Sequence, residues 1–233
     1  EEIATALRAT RLPLRIILTV PSEREEAVRN EAARLSLDAE FVVAPNRGRD
    51  ILPFLRLAGK LLDEGEDVVL KLHTKRSTHR QDGAAWRAEL LDRLVAPDRA
   101  AAIVSAFADD PKLGVVAPEG HMQPLSFYWG ANAANVEYLC ALAGVPQPRA
   151  ESDQFVAGSM FWCRLSALAP LIDTPLSSAE FAPEAGQVDG TLAHAVERMI
   201  LLTAEHQGFR AVSAASLMGI PEPKGPYAYA RRT

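Results

Sequence analysis

Between Leu12 and Leu72 three short, apolar, β-prone runs alternate with two segments of helical spacing, and few architectures accommodate that alternation. Leu12 to Val20 is the first run and stops at Pro21-Ser22. Glu23 to Leu35 follows with Ala27, Val28, Ala32 and Leu35 at helical spacing, and Ser22 with a glutamate three residues on reads as its capping box. Ala39 to Ala44 is a second strand, ended by the polar turn Pro45-Asn46-Arg47-Gly48-Arg49-Asp50. Ile51 to Leu62 is then an amphipathic helix and Val68 to Leu72 a third strand. Strand, helix, strand, helix, strand is the pattern of a parallel sheet with crossover helices on its faces, so the expected class is α/β.

The second half is less regular. Ala84 to Leu94, Pro97 to Ala108, Ala133 to Ala143 and Gly190 to His206 read as helices, with Ser166 to Leu171 a short one. Leu113 to Ala117 reads as a strand and Phe155 to Arg164 as a single strand-like run. With no repeat or low-complexity linker, one domain spanning residues 1 to 233 is expected, its segment 220–233 forming a surface tail.

Composition excludes several classes. A formal net charge of -5 gives no global basic surface for nucleic acid, so anions must be met by local cations. Cys140 and Cys163 have no metal-ligand spacing and suggest neither a zinc site nor a disulfide framework; a reducing cytoplasm is the simplest setting. No apolar run reaches the roughly eighteen residues of a membrane span and no signal peptide is visible. A chain that opens on Glu1 is expected to be a piece of a longer one.

Chemistry concentrates at strand ends, where open α/β sheets bind ligands. Val68 to Leu70 runs into Lys71-Leu72-His73-Thr74-Lys75-Arg76-Ser77, one histidine with three cations and two hydroxyls, suited to a diphosphate. The competing reading is a solvated basic loop around a core histidine. Asn46 to Asp50 combines a turn glycine, two capping side chains and two arginines; it is either a helix cap or an anion cradle. Gly158-Ser159 within a strand-like run marks close approach of backbone or ligand, whereas Met160 to Trp162 reads as packing. Asp189, ahead of the long helix, is either its N-cap or a general base. His194 shares a helical face with Glu197 and Arg198.

Taken in order, Asn46-Arg47-Gly48-Arg49-Asp50, Lys71-Leu72-His73-Thr74-Lys75, Gly158-Ser159-Met160-Phe161-Trp162 and Asp189-Gly190-Thr191-Leu192-Ala193-His194 resemble the rhamnan synthesis protein F family of bacterial surface-polysaccharide glycosyltransferases, from about Leu14 to Gly219. A wider resemblance is to the GT-A fold. These resemblances imply a GT-A-like, Rossmann-type sandwich with a mostly parallel central sheet. They imply transfer of a sugar, rhamnose from a dTDP donor by the family's name, onto a glycan or lipid-linked glycan acceptor, with inversion. The place would be the cytoplasm or the inner membrane face through peripheral association.

The implied donor site is Asn46, Arg47, Arg49, Asp50, Lys71, His73, Lys75 and Arg76. Asp189 is the implied base with Glu184 in reserve, and Gly158, Ser159, Trp162, Gln187 and His194 line the sugar or acceptor pocket. Where GT-A enzymes carry Asp-x-Asp, this chain has His73-Thr74-Lys75. That departure implies cations doing a metal's work on the diphosphate, with no metal site and no requirement for Mg or Mn; the alternative is Mg or Mn held elsewhere, for example through Glu184 or His194. The alternative, from a different class, is a non-catalytic nucleotide-sugar or glycan-binding module of a larger synthase.

Overall fold

A computed structural model describes residues 1–74, 83–187, 189–225, 227 and 229. Helix α1 (Glu2–Ala9) precedes the alternating units read from the sequence. These are β1 (Ile17–Val20), α2 (Glu25–Arg34), β2 (Glu40–Val43), α3 (Ile51–Asp63) and β3 (Val68–Lys71). Then come α4 (Gly83–Val95), α5 (Pro97–Asp109), β4 (Leu113–Ala117), β5 (Met122–Pro124) and α6 (Ala133–Ala143). The chain continues through β6 (Gln154–Val156), β7 (Phe161–Arg164), α7 (Ala169–Ile172), α8 (Leu192–His206), β8 (Arg210–Ser213) and α9 (Ala214–Leu217).

The class is mixed α/β, and its strand directions differ from the expected mostly parallel sheet. β1 and β2 pair in parallel. The four-stranded sheet runs β3-β7-β4-β8, with β7 antiparallel to both neighbours and only β4 and β8 parallel. The cause is local. Phe155 to Arg164 is two strands rather than one, broken at Ala157–Met160, where Gly158 (φ +93°) and Ser159 (φ +53°) take left-handed conformations. That turn sends β7 back between β3 and β4, while β6 pairs with β5 instead.

Strand alternation assigns the two faces of the sheet. Phe161 and Cys163 of β7, with Val115 of β4, join α3, α6 and α8 in one core. Met160 and Trp162, with Val116, join α4, α5 and α9 in the other. Helices therefore cover both faces, as paired apolar surfaces require. Helix α8 is buried on nearly every side, which explains why its apolar residues exceed one stripe. Both cysteines are buried free thiols.

Two expected caps are absent. Ser22 belongs to a short 3-10 turn, and α2 starts at Glu25 without a side-chain cap. Asp50 precedes α3 without capping it, because its carboxylate is engaged elsewhere.

Candidate functional site

The turn after β2 is wedged against the segment that leads to α8. Gly48 (φ +64°) has no room for a side chain, since a Cβ would lie 2.6 Å from Phe181. Its N–H donates to Ala182 O at 3.2 Å, Glu184 N–H donates to Asn46 O at 3.4 Å, and the Arg47 guanidinium donates to Phe181 O at 2.9 Å. Asn46 turns outward to Glu23 at 3.2 Å. Arg49 is held at φ +60°, an uncommon conformation for a residue with a Cβ. Its guanidinium donates to Gln187 O at 3.1 Å and lies 2.6 Å from His194 Nε2. Thr191 N–H donates to His194 Nδ1 at 3.3 Å, and the Thr191 hydroxyl lies 2.8 Å from the same nitrogen.

At the end of β3, Lys71 is 5% exposed. Its ammonium pairs with Asp50 and donates to Ser159 O at 2.7 Å and Ser159 Oγ at 2.9 Å. Its three N–H groups are thus all spent on protein. Burial opposes the charge on Asp50, yet the Lys71 ammonium holds its carboxyl well below the usual carboxylate range. His73 Nε2 donates to Gly158 O at 2.9 Å. Burial lowers the His73 pKa despite the nearby Asp50 carboxylate, so the ring braces Gly158 as a neutral donor. Lys75 and Arg76, with Ser77, Thr78 and Arg80, lie outside the described residues.

The pocket residues inferred from the strand-like run have other duties. Gly158 permits close approach, but by protein: a Cβ there would lie 2.8 Å from Trp86. Ser159 is 2% exposed and anchors Lys71. Trp162 is 3% exposed in the second core, and its indole N–H donates to Leu94 O at 3.0 Å. Opposite parity to Phe161 on β7 places it there. The Gln187 side chain closes its own turn, donating to Pro183 O at 2.9 Å and accepting from Ala185 N–H at 3.0 Å.

The entry to α8 is more open. Thr191 is its N-cap, paired with His194, so Asp189 is not needed as the cap. The Asp189 side chain is 39% exposed. Its Oδ1 accepts from Asn132 Nδ2 at 2.7 Å and lies 3.6 Å from the Arg198 guanidinium. Its Oδ2 occupies the space over Gly130, where a Cβ would come within 2.9 Å. Arg198 is 4% exposed, lies over the Phe155 ring at 4.8 Å, and donates to His194 O at 2.7 Å and Glu197 Oε2 at 3.1 Å. Burial raises the Glu197 pKa against the pull of Arg198, and the Asp50 charge adds to the rise. Asp50, Lys71, Arg49 and Glu197 thus share one electrostatic neighbourhood.

Asn132, Glu197 and Arg198 were not among the expected site residues. The three- and four-residue spacing from His194 was the visible signal for Glu197 and Arg198. Asn132, distant in sequence, carried none. Among the described residues no group of three or more His, Cys, Asp or Glu side chains is placed to hold a metal ion.

A family model described as "Rhamnan synthesis protein F" matches residues 1–209. The chain belongs to the rhamnan synthesis protein F family. Two relatives from Xanthomonas campestris pv. campestris, one from strain B100 and one from strain ATCC 33913, are each 46% identical over 234 residues. Both bear the name "Uncharacterized protein WxcX". The match takes in 100% of this chain and 34% of each relative, so this rhamnan synthesis protein F chain spans about a third of their length. No solved structure matches it. No helix among its described residues is long and apolar enough to cross a membrane.

Proposed function

We propose that this chain is a GT-A-like, nucleotide-sugar-dependent hexosyltransferase domain that adds a sugar to a bacterial surface polysaccharide, with rhamnose and a dTDP carrier as the first donor to test. The observation that carries the reading is Asp189: a half-open carboxylate, relieved of capping by Thr191 and held by Asn132 and Arg198. A base needs that combination of access and fixed orientation. Family membership supplies the polysaccharide context.

In the proposed step Asp189 takes the proton of an acceptor hydroxyl as that oxygen bonds to the anomeric carbon. The bond from that carbon to the diphosphate oxygen breaks, and its electron pair leaves with the nucleotide. Attack opposite the leaving group inverts the centre. The donor side remains Asn46 to Asp50 with Lys75 and Arg76, and no metal is required. Lys71 and His73 serve it by fixing the shape of the turn.

Asp189→Asn is expected to lower nucleotide release from a nucleotide sugar by about a hundredfold or more while sparing nucleotide affinity. Unchanged release would remove Asp189 from the reaction. Thermal-shift screening with nucleoside diphosphates, with and without EDTA, tests donor class and the metal proposal together. A second reading, a non-catalytic glycan-binding module, is favoured by the internal use of every Lys71 donor. It predicts saccharide binding with no nucleotide-sugar turnover.

A further inference from the structure

Asp189 is carried by a segment that its own residues leave loose. Gly186 and Gly190 bracket it at φ +75°, a region that glycine enters freely. Downstream the segment is held. A Cβ on Gly190 would lie 2.9 Å from Ala131 Cβ, Asn135 Nδ2 donates to Gly190 O at 3.2 Å, and Thr191 and His194 form the capping box of α8. Upstream, a Cβ on Gly186 would meet nothing within 4 Å, and the Gln187 side chain bonds within its own turn. A base needs a fixed direction, so the upstream side calls for a tether from elsewhere.

Arg49 supplies it from the turn after β2. That turn is itself tied down: Arg47 makes an antiparallel bridge to Pro183, Gly48 N–H donates to Ala182 O at 3.2 Å, and Glu184 N–H donates to Asn46 O at 3.4 Å. One nitrogen of Arg49, Nη1, then donates to Gln187 O at 3.1 Å and lies 2.6 Å from His194 Nε2. Gln187 precedes Asp189 and His194 follows it, so a single guanidinium clasps the segment on both sides of the carboxylate. His194 O in turn accepts from Arg198 Nη1 at 2.7 Å, and the Arg198 guanidinium lies 3.6 Å from Asp189 Oδ1. The clasp is kept against backbone preference. Arg49 sits at φ +60°, directly after Gly48 at φ +64°, where a second glycine would be the unstrained choice. Strain retained at such a place points to a side chain that is needed there.

We propose that Arg49 is a positioning residue that fixes Asp189 by clasping Gln187 and His194 across the segment that carries it. The inference rests on the transferase reading for what Asp189 does, while the clasp itself is separately measurable. It gives Arg49 a task beyond its place in the donor turn. A guanidinium suits that task, because it keeps its charge and holds its N–H groups in one plane, so one nitrogen meets two partners in a fixed geometry. Without the clasp, Asp189 keeps Asn132 and Arg198 as partners, but the chain ahead of it is released. Small displacements of a reacting group are costly in rate.

The test compares the parent, Arg49→Gly, Asp189→Asn and the double variant. Glycine accepts this φ, so Arg49→Gly removes the clasp without adding backbone strain, and thermal unfolding checks its fold. It is expected to lower turnover of a nucleotide sugar about tenfold to a hundredfold, while nucleotide affinity by calorimetry changes by about threefold or less. In the Asp189→Asn background it should lower the residual turnover by less than about twofold, because the residue it acts through is already gone. A loss of nucleotide affinity as large as the loss of turnover would make Arg49 a donor ligand and overturn the proposal. Full additivity of the two substitutions, or unchanged turnover in Arg49→Gly, also overturns it. Hydrogen exchange supplies a readout that needs no activity. Arg49→Gly should speed amide exchange at Gln187 and from Asp189 to His194 about tenfold, leaving β3 and β7 as in the parent. If the parent turns over no nucleotide sugar and exchange responds in this way, the transferase reading falls and the clasp stands. If the parent is active and those amides exchange alike in both proteins, the clasp falls and the transferase reading stands.

Discussion

Lys71 and Arg198 are both buried cations facing an aspartate, one at the end of β3 and the other on α8. Lys71 spends every N–H on Asp50 and Ser159, and the Asp50 side chain is 16% exposed. Arg198 spends its nearest contacts on His194 O and Glu197, stands 3.6 Å from Asp189, and leaves that carboxylate 39% exposed. The first pair is closed and serves as scaffold. The second is half open, so its carboxylate is oriented without being consumed. Exposure of the carboxylate separates the two, although the residue types and the burial of the cations are alike.

The widest separation between the pairs is expected in stability. Lys71→Met removes the partner of a buried carboxylate and should cost about 3–5 kcal/mol in urea unfolding. Adding Asp50→Asn should recover part of that loss, because the stranded charge goes with it. A loss below about 1 kcal/mol for Lys71→Met would mean the pair is open to water and the contrast with Arg198 is not real.

The alternating first half was readable because each strand there is a short apolar run closed by proline or polar turn residues. Strand direction further on was not, since it depends on Gly158 and Ser159 turning left inside what looks like one strand. Helix α1, β5 and β8 had no comparable pattern to announce them. At the site, sequence order brought out Asn46 to Asp50, Lys71, His73, Asp189 and His194, and the structure ties Asp50 to Lys71 and Arg49 to His194. Charge is visible in a sequence, but the partners that consume it are not, so Lys71 looked available for phosphate. Trp162 was assigned to a pocket because parity cannot be applied until the first residue of β7 is known.

A smaller effect, on the braced side, is the pH dependence due to His73. Burial lowers its pKa, so below about pH 6.5 the unfolded chain takes up a proton that the folded chain resists. Stability should be fully present above that pH and fall as pH drops toward the folded value. His121, which burial and Arg93 push down to about 4, contributes in the same direction. Stability curves of His73→Gln should lose part of the slope below about pH 6.5 and keep the part due to His121. An unchanged slope would mean that His73 is already protonated in the fold, returning it to the phosphate-facing role.

Gly130→Ala addresses the open side. Its Cβ would press on Asp189 Oδ2 at 2.9 Å from a backbone at φ +38°, a cost of about 1 kcal/mol or more in thermal unfolding. Turnover should fall further than that cost implies, because the carboxylate is displaced. Equal turnover would show that the Gly130 cradle does not position Asp189.

Asp189→Asn should produce the smallest change in stability, within about 1 kcal/mol, since the amide keeps the Asn132 neighbourhood and gives up only a partly exposed ion pair. Set beside the proposed loss of turnover, that near-neutrality is the sharpest test of the comparison. A scaffold aspartate loses stability when altered, as Asp50 should; a working one loses rate. If Asp189→Asn unfolded as readily as Lys71→Met, Asp189 would belong with the closed pair, and Glu197, 3.1 Å from the Arg198 guanidinium, would become the next carboxylate to test.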